Sequence, residues 1–334
     1  MAVLICGGAG YIGSHAAAEL LERNEDVIII DNLQTGHVES VLKGAVFYEG
    51  DLRDEKIMDE IFSAHDITDV MHFAADSLVG VSMKEPLEYY DNNVYGALCL
   101  LKKMYQYEVK RIVFSSTAAT YGEPETVPIT EETPAKPTNP YGQTKLAMED
   151  MMHWCSEAYG MEFTALRYFN VAGAHPHVDI GEDHKPETHL IPIILQTALG
   201  QREKIYVFGD DYPTEDGTCI RDYIHVKDLI QAHILALDYL RDGGASDVFN
   251  LGNGSGFSVQ EVIDTVEKVT GKTIPREIAP RRAGDPPVLI ASSEKAKRVL
   301  NWKPEYADLG SIVQTAWDWH RRHPQGYSEG DDSK

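Results

Sequence analysis

The sequence predicts an α/β fold in which a doubly wound parallel sheet occupies residues 1–170 and a smaller α/β domain residues 171–334. Three observations predict it. Short apolar runs alternate with longer amphipathic segments through the first half, the rhythm of successive βαβ units. A glycine-rich stretch, Gly7-Gly8-Ala9-Gly10-Tyr11-Ile12-Gly13, stands between the first apolar run and the first amphipathic segment. An acidic residue, Asp31, closes the second run.

The elements follow in order. Strands are expected at Val3–Cys6, Val27–Asp31, Ala45–Tyr48, Val70–Phe73, Arg111–Ser115 and Phe163–Arg167, where apolar runs are short and bounded by turn residues. Helices are expected at Ile12–Arg23, Asp54–His65, Pro86–Tyr107 and Tyr141–Tyr159, where the apolar period lengthens. After Asn170 the rhythm loosens into Pro- and Gly-bearing loops, with helices near Val226–Leu240, Val259–Val269 and Ile312–His323. Pro124 to Pro140 reads as a solvated loop that borders whatever Tyr141 does. There is no internal repeat, and the acidic tail Glu329-Gly330-Asp331-Asp332 reads as a frayed end.

Composition narrows the function classes. A formal charge of -23 repels nucleic-acid backbones and anionic membrane surfaces, so neither is expected as a partner, and an anionic substrate needs local basic residues. Cys6, Cys99, Cys155 and Cys219 lie far apart without metal-ligand spacing, so no metal site or disulfide framework is expected and a reducing cytoplasm fits. The amino terminus carries no basic, apolar leader and no span-length apolar run.

The glycines carry the first chemical signal. After a strand and at the start of a helix, they allow a tight turn and close backbone approach, while the helix-terminal N–H groups hold a pyrophosphate. This is the Rossmann-type dinucleotide arrangement. Asp31, about 20 residues on, stands where a carboxylate accepts from the adenosine ribose hydroxyls and repels a 2′-phosphate, favouring NAD over NADP. The second signal is Tyr141 and Lys145, preceded by Ser115-Ser116-Thr117 at a strand end. Their i, i+4 spacing puts both on one helix face, where the lysine ammonium is expected to lower the phenol's pKa and make Tyr141 a base. Thr117 is placed to hold a substrate hydroxyl. A surface Tyr–Lys pair would be the bland reading of these two residues alone; the glycine loop reverses it.

With these motifs the chain resembles the UDP-glucose 4-epimerases of the extended short-chain dehydrogenase/reductase family over nearly its full length. The matching stretches include GGAGYIGSH, Asp31-Asn32-Leu33, Asp51-Leu52, His72-Phe73-Ala74-Ala75, Tyr89-Tyr90-Asp91-Asn92-Asn93 and Arg167-Tyr168-Phe169-Asn170. In the second half they include Phe208-Gly209, Tyr212 to Gly217, Arg221 to Val226 and Arg281-Arg282-Ala283-Gly284-Asp285. The resemblance implies NAD contacts from Gly7, Gly10, Tyr11, Ile12 and Gly13, from Asp31, Asn32, Leu33, Gln34, Thr35 and Gly36, and from Asp51 and Leu52 at the adenine. It extends them to Phe73, Ala74, Ala75, Asp76, Ser77, Asn92, Ser115, Tyr141, Lys145 and Phe169. Around the sugar nucleotide it implies Thr117, Tyr141, Asn170, His189, Leu190, Tyr206, Phe208, Arg221, Arg282, Asp285 and Leu289. Ser77 and His189 depart from the lysine and asparagine found at these positions in some members.

The activity implied is reversible 4-epimerisation of UDP-galactose and UDP-glucose through a 4-keto intermediate, with bound NAD transiently reduced, as in galactose metabolism. Leu289 stands where the resemblance implies a border to the sugar's C2 substituent, which extends the expected substrates to N-acetylated UDP-sugars. Two other readings compete. A 4,6-dehydratase would need acids directly after Thr117, where Ala118 and Ala119 stand. A non-catalytic NAD-sensing module would have no use for Tyr141 and Lys145. The resemblance also implies a homodimer through the helices around Asp91–Tyr107 and Leu146–Tyr159.

Overall fold

A computed structural model describes residues 1–282 and 285–327. Ala283 and Gly284 of the Arg281–Asp285 stretch, and the acidic tail, lie outside the described residues. The first six strands form where expected, within one residue at each end except that β4 begins three residues early: β1 Ala2–Cys6, β2 Asp26–Asp31, β3 Val46–Glu49, β4 Ile67–His72, β5 Arg111–Ser115 and β6 Glu162–Tyr168. They lie in the order β3-β2-β1-β4-β5-β6, every neighbour parallel. β1 is buried at every position, as a strand covered on both faces must be. Met58, Ile61, Leu100, Met104 and Met148 pack one face of the sheet. Ala16, Leu20, Leu229, Leu237 and Phe249 pack the other.

A seventh strand, Asp247–Leu251, joins the sheet beside β6, and the helix before it, Val226–Arg241, packs on the helix Tyr11–Glu22. Both come from beyond residue 170, so the sheet draws on the second half of the chain. The long helix expected at 86–107 is interrupted: Pro86–Tyr89 and Gly96–Gln106 flank a π-helical stretch, Tyr90–Tyr95. Such wide turns recur at functional sites, and this one carries Asn92 and Asn93.

In the second half, the helices Leu190–Ala198, Val259–Thr270 and Leu309–Arg322 share a separate core with Ile205, Val207 and Tyr223. The first of them escapes sequence reading because LIPIILQTA is apolar nearly throughout. Its Pro192 falls in the first turn, where an N–H has no partner inside the helix. No helix among the described residues is long and apolar enough to cross a membrane.

The strand order reverses between β1 and β4. In open α/β sheets the crevice outside the carboxyl ends of such strands receives the ligand.

Candidate active site

The crevice is there, and the glycine loop forms its floor. Gly7 turns with φ 81°, and a Cβ at Gly13 would stand 2.1 Å from the Gly7 carbonyl oxygen, so only hydrogen fits where helix and loop meet. Gly10 caps the helix Tyr11–Glu22 without any side-chain acceptor, which leaves the first helical N–H groups pointing into the crevice for an anion. Asp31 is buried at the end of β2, taking N–H groups from Ala9 at 2.9 Å and Leu33 at 2.8 Å, one on each oxygen. Each oxygen keeps a second lone pair. Burial pushes the Asp31 carboxyl up, while the backbone donors oppose it.

One cleft gathers Gly7, Gly10, Asp31, Asn32, Gln34 and Thr35 with Asp51, Leu52, Phe73, Ala74, Ala75, Asp76 and Asn92. Its rim is tied together: Asn32 donates to Asp51 at 3.1 Å, and Gln34 to Asp76 at 3.0 Å. Gly36 packs on the loop at Ala9, where a Cβ would stand 2.9 Å from backbone. Tyr11 turns away to donate to the Gly173 carbonyl at 2.6 Å, and Ile12 packs on the core. A neighbouring cleft joins Ser77 to Asn92, Tyr89 and His189.

Tyr141 enters from the first turn of the helix Pro140–Tyr159. Asn139 caps that helix by accepting from the Gly142 N–H at 2.9 Å. Gly142 lets the helix start approach the turn after β5, since a Cβ there would meet the Ala119 carbonyl oxygen at 2.5 Å. That turn, Ala118–Tyr121, is capped by Thr117, whose hydroxyl accepts from the Ala119 N–H at 3.1 Å. Burial pushes the Tyr141 phenol up; the Thr117 hydroxyl acts against it.

Here the electrostatics differ from expectation. The Tyr141 phenol is raised, not lowered, and Lys145 is not among the groups acting on it. Lys145 is buried, donates to the Ser115 carbonyl at 2.8 Å and lies 4.8 Å from the Phe114 ring centroid. Burial holds it down to about 7, against the opposing charge of Glu149. The i, i+4 spacing gave the shared face, but the ammonium is spent on a strand-end carbonyl.

The expected sugar-nucleotide residues come from both halves of the chain. Asn170 donates through its backbone and side-chain nitrogens to the Asp222 carbonyl at 3.2 and 3.1 Å. Arg221 is already paired with Asp285, and Arg282 lies 4.2 Å from the centroid of the Phe208 ring. Tyr206 and Phe208 are exposed. Leu289 pairs with Arg221 in a short parallel ladder and packs beside Phe169 on Ala118, Tyr121 and Ile129. His189, just before the helix Leu190–Ala198, aims Nδ1 at the Glu182 carboxylate, 2.8 Å away.

Residues 3–252 match the NAD dependent epimerase/dehydratase family. The chain belongs to that family. It is 62% identical to a UDP-glucose 4-epimerase of Halalkalibacterium halodurans, over 98% of each chain. It is also similar to a crystal structure of a UDP-glucose 4-epimerase at 60% identity and a TM-score of 0.97, covering 98% of this chain and 100% of that one. A UDP-glucose 4-epimerase from Bifidobacterium longum, solved in complex with NAD+ and UDP, is similar at 42% identity and a TM-score of 0.92, with 98% and 100% covered.

Three residues of this epimerase/dehydratase family chain escaped sequence reasoning. Arg53 bridges Asp51 and Asp91 and holds the Asp51 carboxyl down to about 2. Asn93, buried, accepts from the Asp76 N–H at 2.8 Å and donates to the Asp76 carbonyl at 3.0 Å and to Thr144 at 3.1 Å. It thereby locks the rim of the cleft to the helix of Tyr141. Glu149, one turn beyond Lys145, forms a buried pair with Arg167 and accepts from Ser116. Its i, i+4 spacing from Lys145 was the available signal.

Proposed function

We infer that this chain is an NAD-dependent UDP-glucose 4-epimerase, interconverting UDP-galactose and UDP-glucose. The observation that carries the reading is the neighbourhood of Tyr141: a buried phenol facing the Thr117 hydroxyl, with alanines at the two following positions. A base and a positioning hydroxyl suit proton removal from a sugar hydroxyl. The absence of an acid at positions 118 and 119 disfavours expulsion of a second hydroxyl as water. Residues 1–170 supply most of the cofactor site, and residues 171–334 most of the sugar-nucleotide site.

The glycine loop, the uncapped helix start and the free lone pairs of Asp31 fit a dinucleotide's pyrophosphate and ribose. When bound, NAD supplies a reversible hydride acceptor for the sugar's C4. Tyr141 Oη takes the 4-hydroxyl proton and later returns a proton to that same oxygen once the sugar has turned its opposite face, and Thr117 holds the reacting oxygen. A phenol pushed up by burial needs positive charge nearby to act as a base, and Lys145, one turn along, supplies it in its protonated form. Arg221 and Arg282 neutralise the substrate's diphosphate, which requires Arg221 to exchange Asp285 for phosphate oxygens.

The chain assembles as a homodimer through the helices around Asp91–Tyr107 and Leu146–Tyr159. Tyr95, Leu98, Tyr105, Trp154 and Tyr159 are exposed there, a concentration of apolar surface that suits a partner copy. Its four free cysteines suit the cytoplasm. Tyr141→Phe tests the mechanism, because it removes the proton carrier and almost no volume. Turnover is expected to fall at least a hundredfold with NAD still bound; near-normal turnover would remove Tyr141 from the role.

A further inference from the structure

Glu182, His184, Glu187 and His189 lie in one eight-residue stretch leading into the helix Leu190–Ala198, and one donor atom from each falls within 4.8 Å of all the others. His189 Nδ1 stands 2.8 Å from Glu182 and 3.1 Å from Glu187; His184 Nδ1 stands 3.3 Å from Glu182 and 3.8 Å from Glu187. The two separations on the shared Glu182 Oε1, and those to the two different oxygens of Glu187, spread around the edge of about 3.3–3.4 Å that a tetrahedron with metal bonds of about 2.0–2.1 Å requires. Both imidazoles face both carboxylates, as donors around a common centre do.

Burial and charge point the same way. The side chains of Glu182 and Glu187 are only 4% and 3% exposed, yet among the described residues neither carboxylate is paired with Lys or Arg. Two buried carboxylates without a fixed cation are costly. His184 Nδ1 is sealed from solvent and makes no well-formed hydrogen bond, although a carboxylate oxygen lies near it. Glu187 is held by the backbone N–H groups of Thr188 and His189, both at 2.8 Å on Oε1, the kind of outer support that orients a ligating carboxylate.

We propose that Glu182, His184, Glu187 and His189 bind one divalent transition cation, zinc by donor type and geometry. Four protein donors leave no open position, so the site is structural. Its place gives it a task. The Tyr11 ring stands edge-on to His184, 6.3 Å between centroids, and Tyr11 opens the helix of the glycine loop. On the other side His189 adjoins the helix Leu190–Ala198. A cation here would pin that junction between the two halves of the chain, independently of the reaction assigned above. It runs against the expectation, drawn from cysteine spacing, that the chain has no metal site.

The test uses untagged, NAD-containing protein, loaded with zinc chloride, dialysed against metal-free buffer and analysed for metal by mass spectrometry. About one zinc per chain is expected. X-ray absorption at the zinc edge of the wild-type protein should give a nitrogen and oxygen shell with two imidazoles and no sulfur. His184→Gln/Glu187→Gln should lose the zinc and the zinc-dependent rise in melting temperature. Retention far below one zinc per chain, a shell containing sulfur or lacking two imidazoles, or equal retention by the double variant would overturn the site. The absorption measurement needs no variant, so it decides the matter even if the substitutions prevent folding.

Discussion

Replacing Glu149 by Met strips a buried guanidinium of its partner. The Arg167 and Glu149 side chains are 8% and 6% exposed. They are joined by Nε to Oε1 at 3.0 Å and by a second N–H to Oε2, while Arg167 also lies 4.8 Å from the Tyr121 ring centroid. Breaking such a pair by removing one member costs about 3–5 kcal/mol, because the other charge stays buried. With about 2.1 cal/mol/K of unfolding entropy per residue, a chain of this size should lose about 4–7 °C in melting temperature. Calorimetry on wild type, Glu149→Met, Arg167→Met and the double variant completes a cycle. Each single change should show that loss, and the double should lose no more than the worse single, since no orphaned charge remains. A double loss equal to the sum of the singles would refute the pairing argument.

Two further outcomes follow from the same geometry. Lys145 is held down to about 7 by burial against an ordinary 10.5. Between those values the unfolded chain binds a proton at this position that the folded chain does not, so stability should rise with pH through that window. In cofactor-free protein, the melting temperature of wild type relative to Lys145→Met should therefore climb from pH 7 to 10; a flat difference counts against the buried neutral lysine. At the sugar end, Leu289 packs beside Phe169, and a flexible side chain there yields more readily than a rigid ring. Wild type should accept both UDP-galactose and UDP-N-acetylgalactosamine, and Leu289→Tyr should lower kcat/KM for the N-acetylated substrate about tenfold or more relative to the other. An unchanged ratio would show that Leu289 only fills the core.

The parallel sheet was legible because its strands are short, apolar and punctuated by turns: Ala2–Cys6 and Arg111–Ser115 could hardly be anything else. The strand Asp247–Leu251 was not legible as part of that sheet. DVFNL alternates weakly, and its pairing with β6 is made across some eighty residues of intervening chain. The π-helical stretch Tyr90–Tyr95 was hidden because a helical period persists through it. The glycine loop and Asp31 were read from spacing alone, since the backbone approach that demands glycine is local. What Lys145 does was not readable, because spacing places its Cα on a face while the carbonyl of Ser115, supplied by another element, decides where the nitrogen goes. The Glu182–His189 cluster escaped because the search for metal spacing followed the cysteines.

The most direct test of the central claim is a coupled assay of UDP-galactose conversion by the purified protein without added NAD, with absorbance at the reduced-nicotinamide band followed in parallel. UDP-glucose should accumulate over many turnovers while reduced cofactor stays below one equivalent per chain, because the hydride is returned within each cycle. No conversion by protein carrying NAD, or reduced cofactor accumulating in step with substrate consumed, would contradict it.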